Sequence, residues 1–193
     1  DRLVLIINDI LDMEKISSGR LDFELETADL SELVAESLRA NATAHQRFGL
    51  QIKCHGVDTP TYIETDANRI IQVLTNLMSN AAKFSKPGGT VEISVEKTPE
   101  NVCVSVRDEG MGIAPEDQHK IFQRFADMAN SDRATKGGTG LGLSICKAIV
   151  EGLGGTIDFV SKEGRGTTFT FTLPVKTRHS GPENDFERLE NVG

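Results

Sequence analysis

In the stretch "NLMSNAAKFS", Asn76 to Ser85, two asparagines stand four residues apart and Lys83 follows three further on. The surrounding pattern is that of an amphipathic helix. Asparagine is a poor helix former because its amide competes for nearby backbone groups, so the pair needs a reason. An amide oxygen is a neutral hard ligand suited to Mg²⁺, which keeps most of its waters and takes few protein ligands. A lysine one turn on suits phosphate oxygens. The plainer alternative is a solvated face: Arg69, Gln72, Asn76, Asn80 and Lys83 form one polar stripe, while Ile70, Leu74, Leu77 and Ala81 form a core stripe on another face.

Two further stretches point the same way. In "RDEGMGI", Arg107 to Ile113, a strand pattern ends in a carboxylate and two glycines. Asp108 can accept a hydrogen bond from an exocyclic amine such as adenine's, while Gly110 and Gly112 let a flat base approach the backbone. An acidic turn would use the same residues. In "GGTGLGLSI", Gly138, Gly140 and Gly142 run directly into a helix pattern. Bare N–H groups and the positive end of a helix dipole make an anion site there. The stretch fits neither of the two familiar phosphate loops. The Rossmann spacing wants glycine where Leu143 stands, and the Walker Gly-Lys-Ser/Thr ending is absent. Together the three stretches supply a metal ligand, a base reader and a phosphate cradle.

The elements that must hold these residues follow from periodicity. A helix is expected over residues 3 to about 16, with Leu3, Ile6, Ile10 and Met13 on one stripe and Val4, Ile7 and Leu11 on another, a width suited to a helix bundle. "SSGR" breaks it. "LDFELE" alternates like a short strand. Asp29 or Ser31 can cap a helix to about Phe48, with Leu30, Leu33, Val34 and Leu38 inward. "LQIKC" and "TYIE" are strand candidates, and the asparagine helix runs from about Asp66 to Ala82. "TVEISVEK" and "NVCVSVRD" form a hairpin through "TPEN". Pro115 opens a short helix through "EDQHKIF". Residues 127–138 lack periodicity and read as a mobile loop. A helix from about Thr139 to Leu153 and strands "TIDFVS" and "TTFTFTLP" complete an α/β two-layer sandwich over a mixed sheet.

Composition bounds the rest. The chain has 193 residues, 38% of them hydrophobic, enough for one core plus an appendage. No apolar run spans a bilayer. A net charge of −8 argues against nucleic acid as a partner, but not against a nucleotide, which answers to local groups. Cys54, Cys103 and Cys146 show no CxxC pairing and read as reduced thiols of a cytoplasmic protein. Asp1 falls inside a helix pattern, so the chain reads as part of a longer protein, membrane-anchored or not.

The combined stretches resemble the catalytic and ATP-binding domain of a sensor histidine kinase, within the superfamily of gyrase, Hsp90 and MutL. "NLMSNAAKFS" is similar to the N box, "DEGMGI" to the G1 box, "IFQRF" to the F box, "GTGLGL" to the G2 box and "GRGTTF" to the late glycine-threonine segment. The resemblance covers residues 21 to about 175. Residues 1–20 resemble the second helix of the dimerisation and histidine-phosphotransfer bundle, leaving 21–176 as the catalytic domain with its Bergerat-type fold and 177–193 as a linker or tail.

That resemblance implies ATP and Mg²⁺ as ligands. It implies that Asn80 ligates the metal, that Lys83 and Arg124 meet phosphate, and that Asp108, Gly110 and Gly112 form the adenine pocket. Asn76, Phe122, Phe125, Gly138, Thr139, Gly140, Leu141 and Gly142 would line the nucleotide, under a lid at 127–138. Where ATP-hydrolysing members of the superfamily place a glutamate, this chain has Asn76, which cannot act as a general base; kinase chemistry is therefore favoured over hydrolysis. The acceptor histidine is the departure. His45, His55, His119 and His179 all lack a following acidic residue and lie after the bundle segment, so the acceptor is expected on an upstream helix. Implied partners are that helix, a response regulator or receiver domain, and a second copy of the parent in a homodimer. The alternative is a nucleotide-binding regulatory module without efficient transfer.

Overall fold

The computed structural model describes residues 2–125 and 139–175. Helix α1 (Arg2–Ser17) comes first, then strand β1 (Glu26–Asp29), helix α2 (Leu30–Arg47), strands β2 (Gln51–His55) and β3 (Tyr62–Thr65), and helix α3 (Ala67–Phe84). Strands β4 (Thr90–Lys97) and β5 (Asn101–Asp108), short helix α4 (Pro115–Gln118), helix α5 (Gly142–Gly152) and strands β6 (Thr156–Lys162) and β7 (Gly166–Pro174) follow.

The main sheet has five strands in the order β2-β4-β5-β7-β6. Only β2 and β4 run parallel; the other pairs are antiparallel, so the sheet is mixed as expected. Alternation sets its two faces. Val91, Ile93 and Val95 of β4 and Val102, Val104 and Val106 of β5 are buried, while the residues between them are wet. Helices α3 and α5 cover the apolar face, and α2 packs on α3. Ile70, Leu74, Leu77 and Ala81, the expected core stripe of α3, are all buried. Phe171, Ile93 and Ile149 are fully enclosed, each worth roughly 2 kcal/mol of transfer free energy. The result is an α/β sandwich.

Local chemistry sets the element ends. Asp66 caps α3, its Oδ1 accepting from the Arg69 N–H at 3.1 Å, and its Oδ2 accepts from the Glu24 N–H at 3.0 Å. Asp29 precedes α2 and its Oδ1 accepts from the Ser31 and Thr61 N–H groups. Gly19 ends the first helical stretch at φ 66°, in the left-handed region.

Three expectations need correction. "LDFELE" is not a strand: pairing begins only at Glu26, because β3 offers four partners, Tyr62 to Thr65, to residues 26–29. Leu21 and Phe23 pack against the core from an irregular segment instead. The helix opened by Pro115 stops at Gln118 and continues as turns. The last helix starts at Gly142 rather than Thr139, since Gly140 sits at φ 69° and cannot continue a right-handed helix. The expected loop at 127–138 and tail at 177–193 lie outside the described residues. Among those described, no helix is long and apolar enough to cross a membrane.

α1 rests on α5 by one side. Met13 is buried there, whereas Leu3, Ile7, Ile10 and Leu11 are exposed.

Candidate functional site

Helix α3 is the spine of the site. At one point Asn76 lies against Gly142: a Cβ built on that glycine would stand 3.2 Å from Asn76 Oδ1. At the other, the Phe84 carbonyl accepts from the Met111 N–H at 3.2 Å, and a Cβ on Gly110 would collide with that same carbonyl. Asn80 is four residues from each, so it sits one turn, about 6 Å along the axis, from both contacts. The two glycine segments and Asn80 are thereby brought to one stretch of one helix. Gly138 lies outside the described residues.

The carboxylate side is locked by backbone. Asp108 ends β5 and is buried, and its Oδ1 accepts from the Gly110 N–H at 2.8 Å. Gly112, at φ 67°, passes so close to β6 that a Cβ would collide with the Lys162 carbonyl. The Ser161 hydroxyl accepts from the Ile113 N–H at 2.8 Å and donates to the Gly166 carbonyl at 3.1 Å, and the Met111 carbonyl accepts from the Gly164 N–H at 2.7 Å. Gly166 (φ 101°) lies against the Asp108 carbonyl, with no room for a Cβ. The β6–β7 hairpin thus clamps the turn that carries Asp108. Ser161 was not singled out from the sequence, and Thr167, which shares a hydrogen bond with it at 2.9 Å, only as part of "GRGTTF".

The glycine-rich side is held differently. Leu141 is buried and anchors the start of α5, its carbonyl accepting from the Ser144 hydroxyl at 2.8 Å. The Thr139 hydroxyl accepts from the Leu141 N–H at 3.2 Å and donates to Asp9 of α1 at 2.8 Å. Burial, chiefly, raises the Asp9 pKa; the Thr139 hydrogen bond opposes the shift and the nearby Asp12 charge adds to it. Arg124 Nη1 donates to the Ser17 hydroxyl at 2.8 Å.

The polar stripe of α3 meets two neighbours, α1 and α5, while Lys83 stays on its own helix. Arg69 and Gln72 turn to α1, where Asp12 accepts from Arg69 Nη1 at 2.9 Å and from Gln72 Nε2 at 2.7 Å. Asn76 faces Gly142, and nearby the Cys146 thiol, whose pKa burial pushes up to about 12, donates to the Val73 carbonyl at 3.9 Å. Lys83 lies over the Phe84 ring, 5.6 Å from its centroid. Of the F-box aromatics, Phe122 packs edge-on against Phe159 and Phe169, with centroids 5.8 and 6.4 Å away, and Lys147 sits over its ring. Phe125 is exposed at φ 50°. Phe122 is thus held in an aromatic cluster with the sheet.

Asp9, Asp12 and Ser17 were missed as partners of these residues. A signal for the first two was present: Asp9 and Asp12 stand three apart between the apolar positions of the helix, a spacing that puts them on one face.

Comparison with known proteins places the chain among histidine kinases by likeness of sequence and fold. The chain is 38% identical over 181 residues to the sensor histidine kinase WalK of Bacillus subtilis, covering 91% of this chain and 29% of that protein. It is 37% identical over 179 residues to the signal transduction histidine-protein kinase BarA of Escherichia coli, covering 90% of this chain and 19% of the relative. The chain therefore spans less than a third of the length of either. Among solved structures, full-length ShkA in complex with AMPPNP superposes with a TM-score of 0.77 at 28% identity, covering 90% of this chain and 36% of that one. The catalytic domain of the histidine kinase ThkA superposes at 0.68 with 32% identity, over 78% of this chain and 95% of that one. Residues 65–177, from the last residue of β3 past the end of β7, match the model of the histidine kinase-, DNA gyrase B- and HSP90-like ATPases, and so the chain belongs to that family.

Proposed function

We propose that this chain is the ATP-binding catalytic core of a two-component sensor histidine kinase. It passes the γ-phosphoryl group of ATP to a histidine on an upstream helix, from which a response-regulator aspartate takes it. The observation that carries the reading is the seating of α3 between two glycine segments. A Cβ at Gly110, Gly112 or Gly142 would strike or crowd its neighbours, while the buried Asp108 carboxylate is fixed at the first segment.

The residues suit the ligand. Asp108 would accept from the adenine amine, with Gly110 and Gly112 giving the base room. The N–H groups of Gly140 and Gly142 at the start of α5 would face phosphate oxygens. Asn80 would hold Mg²⁺, whose charge offsets that of the phosphates. Lys83 and Arg124 would meet the outer phosphates, Arg124 stabilising the phosphoryl group in flight. In the transfer the imidazole nitrogen forms a bond to Pγ as the bond from Pγ to the β–γ bridging oxygen breaks, and ADP leaves with that oxygen. Asn76 has no basic group to activate water, which keeps hydrolysis slow. The exposed apolar side of α1, with Leu3, Ile7, Ile10 and Leu11, supports a bundle partner and hence a homodimeric parent.

The test mixes this chain with a separate protein carrying the upstream helix, plus γ-labelled ATP and Mg²⁺. Acid-labile, base-stable label on that helix is the expected result. Nucleotide binding without label transfer would replace the kinase reading with a regulatory module, and fast phosphate release would replace it with an ATPase.

A further inference from the structure

Among the described residues, Asp9, Asp12 and Ser17 of α1 hold the body by nitrogen and oxygen hydrogen bonds, beside a longer one from the Ser144 hydroxyl to the Met13 sulfur at 4.0 Å, and the partners of those three fall into two classes. Asp12, buried at 8% exposure, takes Arg69 and Gln72, neither of which is assigned to nucleotide. Asp9 and Ser17 take Thr139 and Arg124, both of which are. We propose that docking of the Asp9 end of α1 and binding of nucleotide oppose each other, with Asp9 as the positioning residue that couples them through Thr139. The inference rests on the ATP site proposed above.

The chemistry is exclusive at Thr139. Its hydroxyl has one proton, and that proton is given to Asp9. Offered to a phosphate oxygen instead, it leaves Asp9 without its donor. An ionised Asp9 also sets negative charge beside the N–H groups that phosphate would use, and Asp12 adds charge of the same sign one turn away. Nucleotide therefore favours departure of Asp9. Asp12 keeps both of its donors throughout, so it acts as the fixed point about which the N-terminal half of α1 lifts. Linkage makes the effect mutual: whatever lifts that half of α1 from outside tightens nucleotide by the same factor.

The experiment uses the 193-residue chain with Mg²⁺ and AMPPNP in a calorimeter. Asp9→Ala is expected to bind roughly three- to tenfold more tightly than the wild type, the scale of one hydrogen bond removed from the competing state. Amide hydrogen exchange supplies a readout that a merely structural role would not move: AMPPNP should speed exchange in residues 3–10 of the wild type and leave it unchanged in Asp9→Ala. Equal or weaker affinity of Asp9→Ala, or exchange in α1 that slows with AMPPNP, overturns the coupling and leaves the ATP site standing. A wild type that binds no AMPPNP overturns the ATP reading and the coupling together.

Discussion

The two sides of the site are built by different means. The Asp108 side is set by main chain: Gly110 against the Phe84 carbonyl, Gly112 against the Lys162 carbonyl, Gly166 against the Asp108 carbonyl. The Thr139 side is tied by side chains reaching from α1. Backbone packing leaves no second arrangement of similar energy, whereas a hydroxyl–carboxylate bond at 2.8 Å exchanges for another acceptor at little cost. A pocket for a rigid, flat base suits the first construction. A region that must both hold and release a charged group suits the second.

The contrast breaks most sharply at the glycines. Gly112→Ala forces a side chain into the left-handed region and into the Lys162 carbonyl, and should cost about 2–4 kcal/mol, read as a fall in the urea midpoint and loss of nucleotide binding. Should the alanine variant keep wild-type stability, the locked side is not locked. Asp108→Asn is milder, since an amide oxygen still accepts from the Gly110 N–H. It should weaken ATP by roughly tenfold to a hundredfold in calorimetry with little change in unfolding, and unchanged affinity would remove Asp108 from the adenine pocket.

On the side-chain-tied part, Arg69→Ala leaves Asp12 with Gln72 alone and should release α1 at a cost of about 1–3 kcal/mol. Hydrogen exchange should quicken across α1, while β4, β5 and β7 stay protected. Exchange that quickens equally in all of them would make α1 part of one cooperative unit with the body.

Acid should act on the two parts in opposite senses. His45 is buried between α2 and α3, and burial lowers its pKa below 6.5 against a partly compensating hydrogen bond to the Met78 backbone. Its folded state resists the proton that the unfolded chain accepts, so the body loses stability as pH falls below about 6.5 and until the lowered pKa is passed. Asp9 has the reverse sign: its raised pKa means that ionisation weakens the docked state above 3.8, and acid relieves this. Urea titrations at pH 7.5 and 5.5 should show a loss that His45→Leu abolishes. The smallest expected effect is kinetic. The Cys146 thiol is fully buried and pushed up to about 12, so a thiol reagent at pH 7.5 should modify Cys54 and Cys103 far faster than Cys146. Quick labelling of Cys146 would mean that the α3–α5 contact opens.

Much of the framework was readable beforehand because periodicity is a local property. The core stripe of α3 and the alternation of β4 and β5 appear in the sequence as they appear in the fold. Coverage was not readable. Arg69, Gln72, Asn76, Asn80 and Lys83 share a polar stripe, yet α1 takes the first two and α5 faces the third, since a 3.6-residue repeat fixes a face and says nothing of what lies over it. "LDFELE" failed for a related reason: alternation permits a strand, but a strand exists only where a partner supplies hydrogen bonds, and β3 supplies them only from Glu26 onward. Gly110 and Gly112 were read as letting a flat base approach the backbone and Gly142 as part of an anion cradle, whereas the protein groups that crowd them, Phe84, Lys162 and Asn76, came only with the fold.

The place of β7 has a consequence for biosynthesis. It is the last of the described strands, yet it lies between β5 and β6 and brings Phe169, Phe171 and Leu173 into the interior. Until residue 174 has cleared the ribosome, β5 has an open edge and β6 has no neighbour at all. The nascent chain must therefore wait for residue 174 before the centre of the sheet can close, and a message truncated just short of this strand would yield an unfinished sheet rather than a weakened fold.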